Sequence, residues 1–246
     1  MIPAAGPPVV ETDAMSRPVV LLFAYAAVSV VHVLGHLASA TWLTTTTKPL
    51  LMPLLAAFLV SASGRPLTRL VRVVLAALAF SWLGDVALEA SRLVDADGLF
   101  LAGIGGFGIA QILYVVAFTP LVRASTPPRP PLWALLYVPY GALFVGLTAP
   151  QLGEFLVPVA LYAVAICTMG LVASGVNGLT AAGAAAFVAS DTLIALGRFT
   201  DVLDWSESAQ RVAVMSTYTL AQGLIVVGVV LAQGRGWRGS TQPTAG

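Results

Sequence analysis

FSWLGDVAL, residues Phe80–Leu88, sets an aspartate inside an apolar run long enough to cross a bilayer. Burying an acid at that depth costs at least about 3 kcal/mol, so Asp85 is a functional-site candidate by default. A second run, FVASDTLIAL at Phe187–Leu196, does the same with Asp191. Both acids follow a small residue, Gly84 and Ser190, and each has an arginine seven positions on, Arg92 and Arg198. Two carboxyls carried into the membrane on two helices form a candidate acid–base pair.

The rest of the chain is equally apolar. Of its 246 residues, 58% are hydrophobic and 9% charged, and the mean hydropathy is +0.91. A soluble domain carries about 25% charged residues, so the reading is an all-α, polytopic integral membrane protein. A formal net charge of +1 leaves no nucleic-acid footprint. The single cysteine, Cys167, excludes an internal disulfide and a cysteine-rich metal site; it reads as a small buried hydrophobe. Residues 1–17 hold Pro3, Pro7, Pro8, Glu11 and Asp13 without a basic region before an apolar core, which is not a secretory signal. They are expected to form a disordered tail, as is 233–246, leaving 18–232 as one transmembrane domain.

About 20 apolar residues span a bilayer, and that rule gives eight spans. They are expected near 18–38, 49–63, 70–91, 99–122, 132–148, 152–173, 179–197 and 209–232, with TPPRPP (Thr126–Pro131) as a stiff linker. Basic residues set the orientation. With the N-terminus inside, Arg17, Arg65, Arg69, Arg72, Arg123, Arg129, Arg235 and Arg238 are cytoplasmic, eight of the 12. Lys48, Arg92, Arg198 and Arg211 fall on the other side, so both termini are expected in the cytoplasm and the protein in the plasma membrane. A four-plus-four internal repeat would explain why Asp85/Arg92 and Asp191/Arg198 recur 106 positions apart, and AQILYVV (Ala110–Val116) and AQGLIVV (Ala221–Val227) 111 apart. Gly103, Gly105, Gly106 and Gly108 read as sites of close helix packing.

Other polar residues lie on the same helices. Ser81, Asp85, Glu89 and Arg92 share one helical face, with Glu89 and Arg92 read as an interfacial ion pair or, for Arg92, a snorkelling side chain. Asp191 and Arg198 share another, beside Ser190 and Thr192. Tyr218 and Gln222 stand at i, i+4 on the eighth span, Gln111 and Tyr114 at i, i+3 on the fourth, and Tyr162 in the middle of the sixth. Lys48 is placed at the start of the second span, immediately before Pro49, so no Lys or Arg falls mid-span to neutralise the aspartates. Gln and Tyr in such helices often only hydrogen-bond their neighbours. His32 and His36, at i, i+4, have a spacing that can hold a metal, but no HExxH-like pattern accompanies them. Helix packing is the better reading, and no metal or cofactor is expected.

Together these residues resemble the YhhN family of membrane proteins, which includes the lysoplasmalogenases. The resemblance runs from the second span onward through KPLLMP (Lys48–Pro53), FSWLGDVAL, FLAGIGGFGIAQILYVVAF (Phe100–Phe118), LYAVAICTM (Leu161–Met169), FVASDTLIALGRF (Phe187–Phe199) and TYTLAQGLI (Thr217–Ile225). It departs at Gln111, where the family pattern has histidine. The resemblance implies eight helices and hydrolysis of the vinyl-ether bond of a lysoplasmalogen to a fatty aldehyde and a glycerophospho-base. An enol ether hydrolyses by protonation of its terminal alkene carbon, giving an oxocarbenium ion that water then captures. One protonated carboxyl and one carboxylate suit that chemistry, as they do in glycosidases. Desolvation and mutual repulsion keep one member of such a pair protonated, and which of Asp85 and Asp191 it is stays open. Ser81, Ser190, Tyr218 and Gln222 are candidates to position water or the ether oxygen, with Gln111 and Tyr114 as further substrate-binding candidates. Lys48, Arg92 and Arg198 are candidates for the lipid phosphate. The expected partners are a lysophospholipid or ether lipid and the bilayer. A proton- or ion-coupled transporter, and a lipid-binding protein whose acids only lock helices together, are the alternatives.

Overall fold

The structure, a computed structural model, describes residues 16–94, 96–124 and 130–239. Most of the expected N-terminal tail, most of the TPPRPP linker and the last seven residues lie outside the described residues. Every described element is helical: α1 (Arg17–Leu37), α2 (Thr41–Ala62), α3 (Arg69–Val94), α4 (Asp97–Ala124), α5 (Tyr137–Leu152), α6 (Leu156–Ala173), α7 (Gly178–Phe199) and α8 (Glu207–Gly239), with short 3₁₀ turns before α5 and α6. Among the described residues seven stretches are long and apolar enough to cross a membrane, 132–173 being one continuous stretch of 42 residues. Within it the chain turns at Gly153, whose φ of +50° suits a residue without a side chain. α5 and α6 then lie side by side, Gly141 against Cys167 and Gly170 against the Tyr137 ring. At the next turn Asn177 separates α6 from α7. Its side chain accepts from the backbone N–H groups of Leu179 and Thr180, each at 3.0 Å, and donates to the Gly228 carbonyl at 2.8 Å.

Consecutive helices pack as pairs, α1 on α2, α3 on α4, α5 on α6 and α7 on α8. α4 against α6, α8 against α1 and α2, α2 against α3 and α6 against α7 join them into one bundle. The core is the apolar seam between them, including Leu51, Leu55 and Leu59 of α2, Val74 and Leu78 of α3, Phe118 of α4, Phe187 of α7 and Ile225 and Val229 of α8. Outward-facing Phe23, Leu34, Leu143, Leu147, Leu161 and Val164 are exposed, the surface of a protein solvated by lipid. One end of the bundle carries the turns within the four pairs, where Ser39 meets Ser208 and Arg198 meets Asp97. The opposite end carries the remaining turns, with Gln233 donating to Ser63.

Two boundaries differ most from expectation. α8 continues to Gly239, seven residues into the stretch expected to be a disordered tail. More consequentially, α2 begins at Thr41, not near Pro49, so Pro49 and Pro53 lie inside a helix. Prolines normally stop helices because they lack the N–H and clash one turn back. Here the hydroxyls of Thr44, Thr46 and Thr47 turn back onto carbonyls of the preceding turn. The Pro49 carbonyl, which Pro53 cannot reach with an N–H, accepts instead from the Trp82 indole at 2.9 Å. Side-chain donors of this kind are what allow prolines within membrane helices. Lys48 therefore sits about two turns inside α2 and points at α3.

Candidate active site

On α3 the spacing of Ser81, Asp85 and Glu89 aligns them on the buried face, at 0%, 3% and 9% exposure. Gly84 lets α4 approach closely: a Cβ added to Gly106 would lie 3.0 Å from the Gly84 nitrogen. The Phe107 ring covers Gly84 and stacks edge-on against Tyr218 and Phe187. Asp85 is thus enclosed, one oxygen accepting from the Tyr218 hydroxyl at 2.7 Å and the other 4.0 Å from Lys48 Nζ. Lys48 also reaches Glu89 at 3.3 Å, and Arg92 completes the row at 2.9 Å from the same Glu89 oxygen. The expectation that no cation neutralises the aspartates is thus corrected for Asp85, and the cause is the α2 boundary. Glu89 forms the expected pair with Arg92 but is buried.

Behind Asp85 the hydrogen bonds continue through α8. Gln222 Nε2 donates to Ser81 at 3.1 Å and to the Tyr218 oxygen at 3.4 Å, while its amide oxygen accepts from Tyr114 at 2.7 Å. Five of the predicted site residues (Ser81, Asp85, Tyr114, Tyr218 and Gln222) therefore form one buried polar cluster.

Asp191 on α7 is held separately. The Tyr162 hydroxyl of α6 donates to one of its oxygens, and Gln111 Nε2 of α4 donates to Tyr162 at 3.4 Å. The Gln111 amide oxygen is buried and has no hydrogen-bond partner among the described residues. Each aspartate is therefore the end of an Asp–Tyr–Gln chain, and the two chains are not hydrogen-bonded to each other. Among the described residues Asp191 forms no ion pair. Ser190, beside it, donates to the Val214 carbonyl at 3.2 Å and ties α7 to α8.

Two cavities meet at this site. The first is apolar and runs between α5, α6 and α7 under α3 and α4. Phe144, Ile166, Cys167 and Val188 line it, and Tyr162 and Asp191 are polar groups in its wall. The second, at the end of the bundle carrying the turns within the pairs, is more polar than the first, though its wall mixes charged and apolar side chains. Its wall holds Lys48, Arg92, Arg198 and Arg211, with His36, Glu207 and Gln210. Leu88, Phe100 and Ile194 line both cavities, so they adjoin. Arg198 is braced by Asp97 at 2.6 Å and lies 4.2 Å over the Phe100 ring, and Arg211 pairs with Glu207. Asp85 lines neither cavity; Lys48 links it to the polar one.

The sequence placed Lys48, Arg92 and Arg198 as phosphate candidates, and all three line the polar cavity. It missed Arg211, whose only sign is its place near a helix end, and read His36 only as a packing residue. Tyr162 was visible only as a polar residue in the middle of its span. His32 and His36 bond each other at 3.3 Å, and His32 bonds Thr47 at 2.8 Å, which ties α1 to α2 as a packing role requires.

The family model described as the YhhN family matches residues 43–229. A lysoplasmalogenase of Mycobacterium bovis and one of Mycobacterium tuberculosis are each 33% identical over 175 residues, 68% of this chain and 64% of theirs. Lysoplasmalogenase TMEM86B of Sus scrofa is 33% identical over 133 residues, 53% of this chain and 54% of its own. The chain thus matches less than two thirds of the length of each of these relatives. No solved structure matches it at a comparable level.

Proposed function

The chain belongs to the YhhN family, and on that premise we propose that it is a membrane-embedded hydrolase cleaving the vinyl-ether bond of a lysoplasmalogen-like lipid. The products are a fatty aldehyde and a glycerophospho-base. The observation that carries this reading is the pair of adjoining cavities, one apolar with a carboxyl in its wall and one lined by cationic side chains. A single-chain lipid with an anionic head has the same division. Its chain suits the cavity under α5, α6 and α7, and its phosphate suits Arg92, Arg198 and Arg211, since guanidinium groups bind phosphate oxygens in pairs. The ether junction then falls near Leu88 and Ile194, within the part of the wall that Asp191 shares. The two aspartates supply the proton and the negative charge.

The same reading gives eight spans, with 132–173 folded back at Gly153 into two, in one domain of the plasma membrane. Both chain ends lie in the cytoplasm and the polar cavity faces outward, on the side with fewer basic residues. The repeated pairing of consecutive helices supports a four-plus-four duplication, in which Asp85 corresponds to Asp191 and Gln111 to Gln222.

Purified protein in detergent, given a defined lysoplasmalogen, is expected to release aldehyde. Asp85→Asn and Asp191→Asn should each lower the rate by about 10²–10⁴-fold, the usual worth of general acid–base groups, while remaining folded. For Asp191, which has no ion pair among the described residues, Asn preserves shape and relieves the burial of a carboxyl, so a purely structural role predicts an active variant instead. Substrate movement across a vesicle membrane without aldehyde release would point to the transporter reading.

A further inference from the structure

We propose that Lys48 divides the work between the two aspartates: it holds Asp85 as the carboxylate, leaving Asp191 as the group that carries and delivers the proton. The catalytic meaning of this division rests on the hydrolase reading above. Lys48 Nζ stands 4.0 Å from Asp85 and 3.3 Å from Glu89, on a side chain only 11% exposed. At such separations a cation favours the charged form of a carboxyl by several kcal/mol even at an effective dielectric constant of about 20. Around Asp85 stand Lys48 from α2, Glu89 from its own helix and the Tyr218 hydroxyl from α8. Arg92 balances Glu89, so the two acids and two cations form a neutral group, and its charges are paired where water is scarce.

Asp191 has a different environment. Its bonded neighbour is the neutral Tyr162, it has no ion pair among the described residues, and apolar side chains surround it in the cavity wall. It is also the aspartate that borders the cavity where a chain would lie. A carboxyl in that setting is held neutral. Lys48 is then a positioning residue acting through Asp85, not the phosphate ligand expected from the sequence.

The reaction closes on this assignment. The alkene π pair takes the Asp191 proton, forming a C–H bond and leaving a cation shared by the adjacent carbon and the ether oxygen. The Asp85 carboxylate, charged and buried nearby, opposes that positive charge. Water bonds to the cationic carbon as its proton passes to Asp191, which restores the acid. The hemiacetal then loses its C–O bond to glycerol, its hydroxyl proton passes to the glycerol oxygen, and aldehyde and alcohol separate. No oxidant, reductant or net proton is required.

Infrared spectra of the purified protein at neutral pH test the division without substrate. The carbonyl band of a buried protonated carboxyl should be present in the wild type, vanish in Asp191→Asn, shift in Asp191→Glu and persist in Asp85→Asn. Lys48→Met should gain a second such band, absent from Lys48→Met/Asp85→Asn and from Lys48→Arg. Loss of the wild-type band in Asp85→Asn, absence of any wild-type band, or a Lys48→Met spectrum equal to wild type would each overturn the proposal. Should Lys48→Met not fold, the wild-type and aspartate spectra still decide the assignment. In the aldehyde assay, Lys48→Met should lower kcat by on the order of tenfold or more with KM nearly unchanged, and Lys48→Arg should restore it, whereas a phosphate ligand would show in KM. Spectra as expected from a protein that releases no aldehyde would remove the hydrolase reading and leave the charge division standing.

Discussion

Tyr162 fixes one oxygen of Asp191 from α6, and Tyr218 does the same for Asp85 from α8. A hydrogen bond to a charged group is worth about 1.5–3 kcal/mol. If Tyr162 steadies Asp191 after it has given up its proton, Tyr162→Phe should lower kcat roughly tenfold to a hundredfold, with a smaller effect on KM. Steady-state aldehyde release over a range of lipid concentrations checks this, and an unchanged kcat would reduce Tyr162 to packing. Asp85 and Asp191 were legible in the sequence because a carboxyl in an apolar run carries its cost wherever the helix ends up. Tyr162 was not legible as a partner, since a tyrosine in a span costs little and its role depends on which helices pack together. Glu89 was half legible: the i, i+3 spacing gave its pair with Arg92, but not its burial, because Lys48 reaches it from another helix.

At the scale of the element, α2 shows how a boundary error becomes a chemical one. A span starting at Pro49, with Pro53 already inside it, put Lys48 at a helix end. The helix actually passes through both, because the carbonyl that Pro53 leaves without a donor is taken by Trp82 of α3. No local pattern in α2 reveals this, since the compensating group is 33 positions away. Trp82→Phe should leave the Pro49 carbonyl unpartnered and destabilise the protein by about 1–3 kcal/mol. Pro53→Ala supplies a backbone N–H four residues after Pro49, so adding it to Trp82→Phe should recover much of the loss. Thermal unfolding in detergent of the two single variants and the double variant measures the coupling; additive losses would mean that the indole acts through packing alone.

For the whole molecule, the all-helical, apolar character followed from hydropathy, because a helix in lipid must satisfy its own backbone hydrogen bonds and so announces itself locally. The cavities did not follow, since five helices contribute to the apolar one and no single helix encodes it. Two outcomes are expected at this scale. Reporter fusions at either end should both report the cytoplasm; an external C-terminus would show that 132–173 crosses once and not twice. Ala163 of α6 lines the apolar cavity, and Ala163→Phe should fill part of it. Turnover of long-chain lysoplasmalogens should then fall severalfold more than that of short-chain ones, as pocket-filling substitutions discriminate by one to a few kcal/mol. Equal losses across a chain-length series would place the chain elsewhere.

The adjoining cavities also bear on what happens after cleavage. Once the bond between chain and glycerol is broken, the fragments no longer share a solvent preference. Under the proposed hydrolysis the aldehyde would be left in an oily chamber among membrane helices, and the glycerophospho-base among arginines at the bundle end. Each product is already in the compartment whose phase it prefers, so release becomes a partition into two solvents. Escape of the aldehyde should therefore depend on the thickness and fluidity of the surrounding bilayer, and escape of the head on salt.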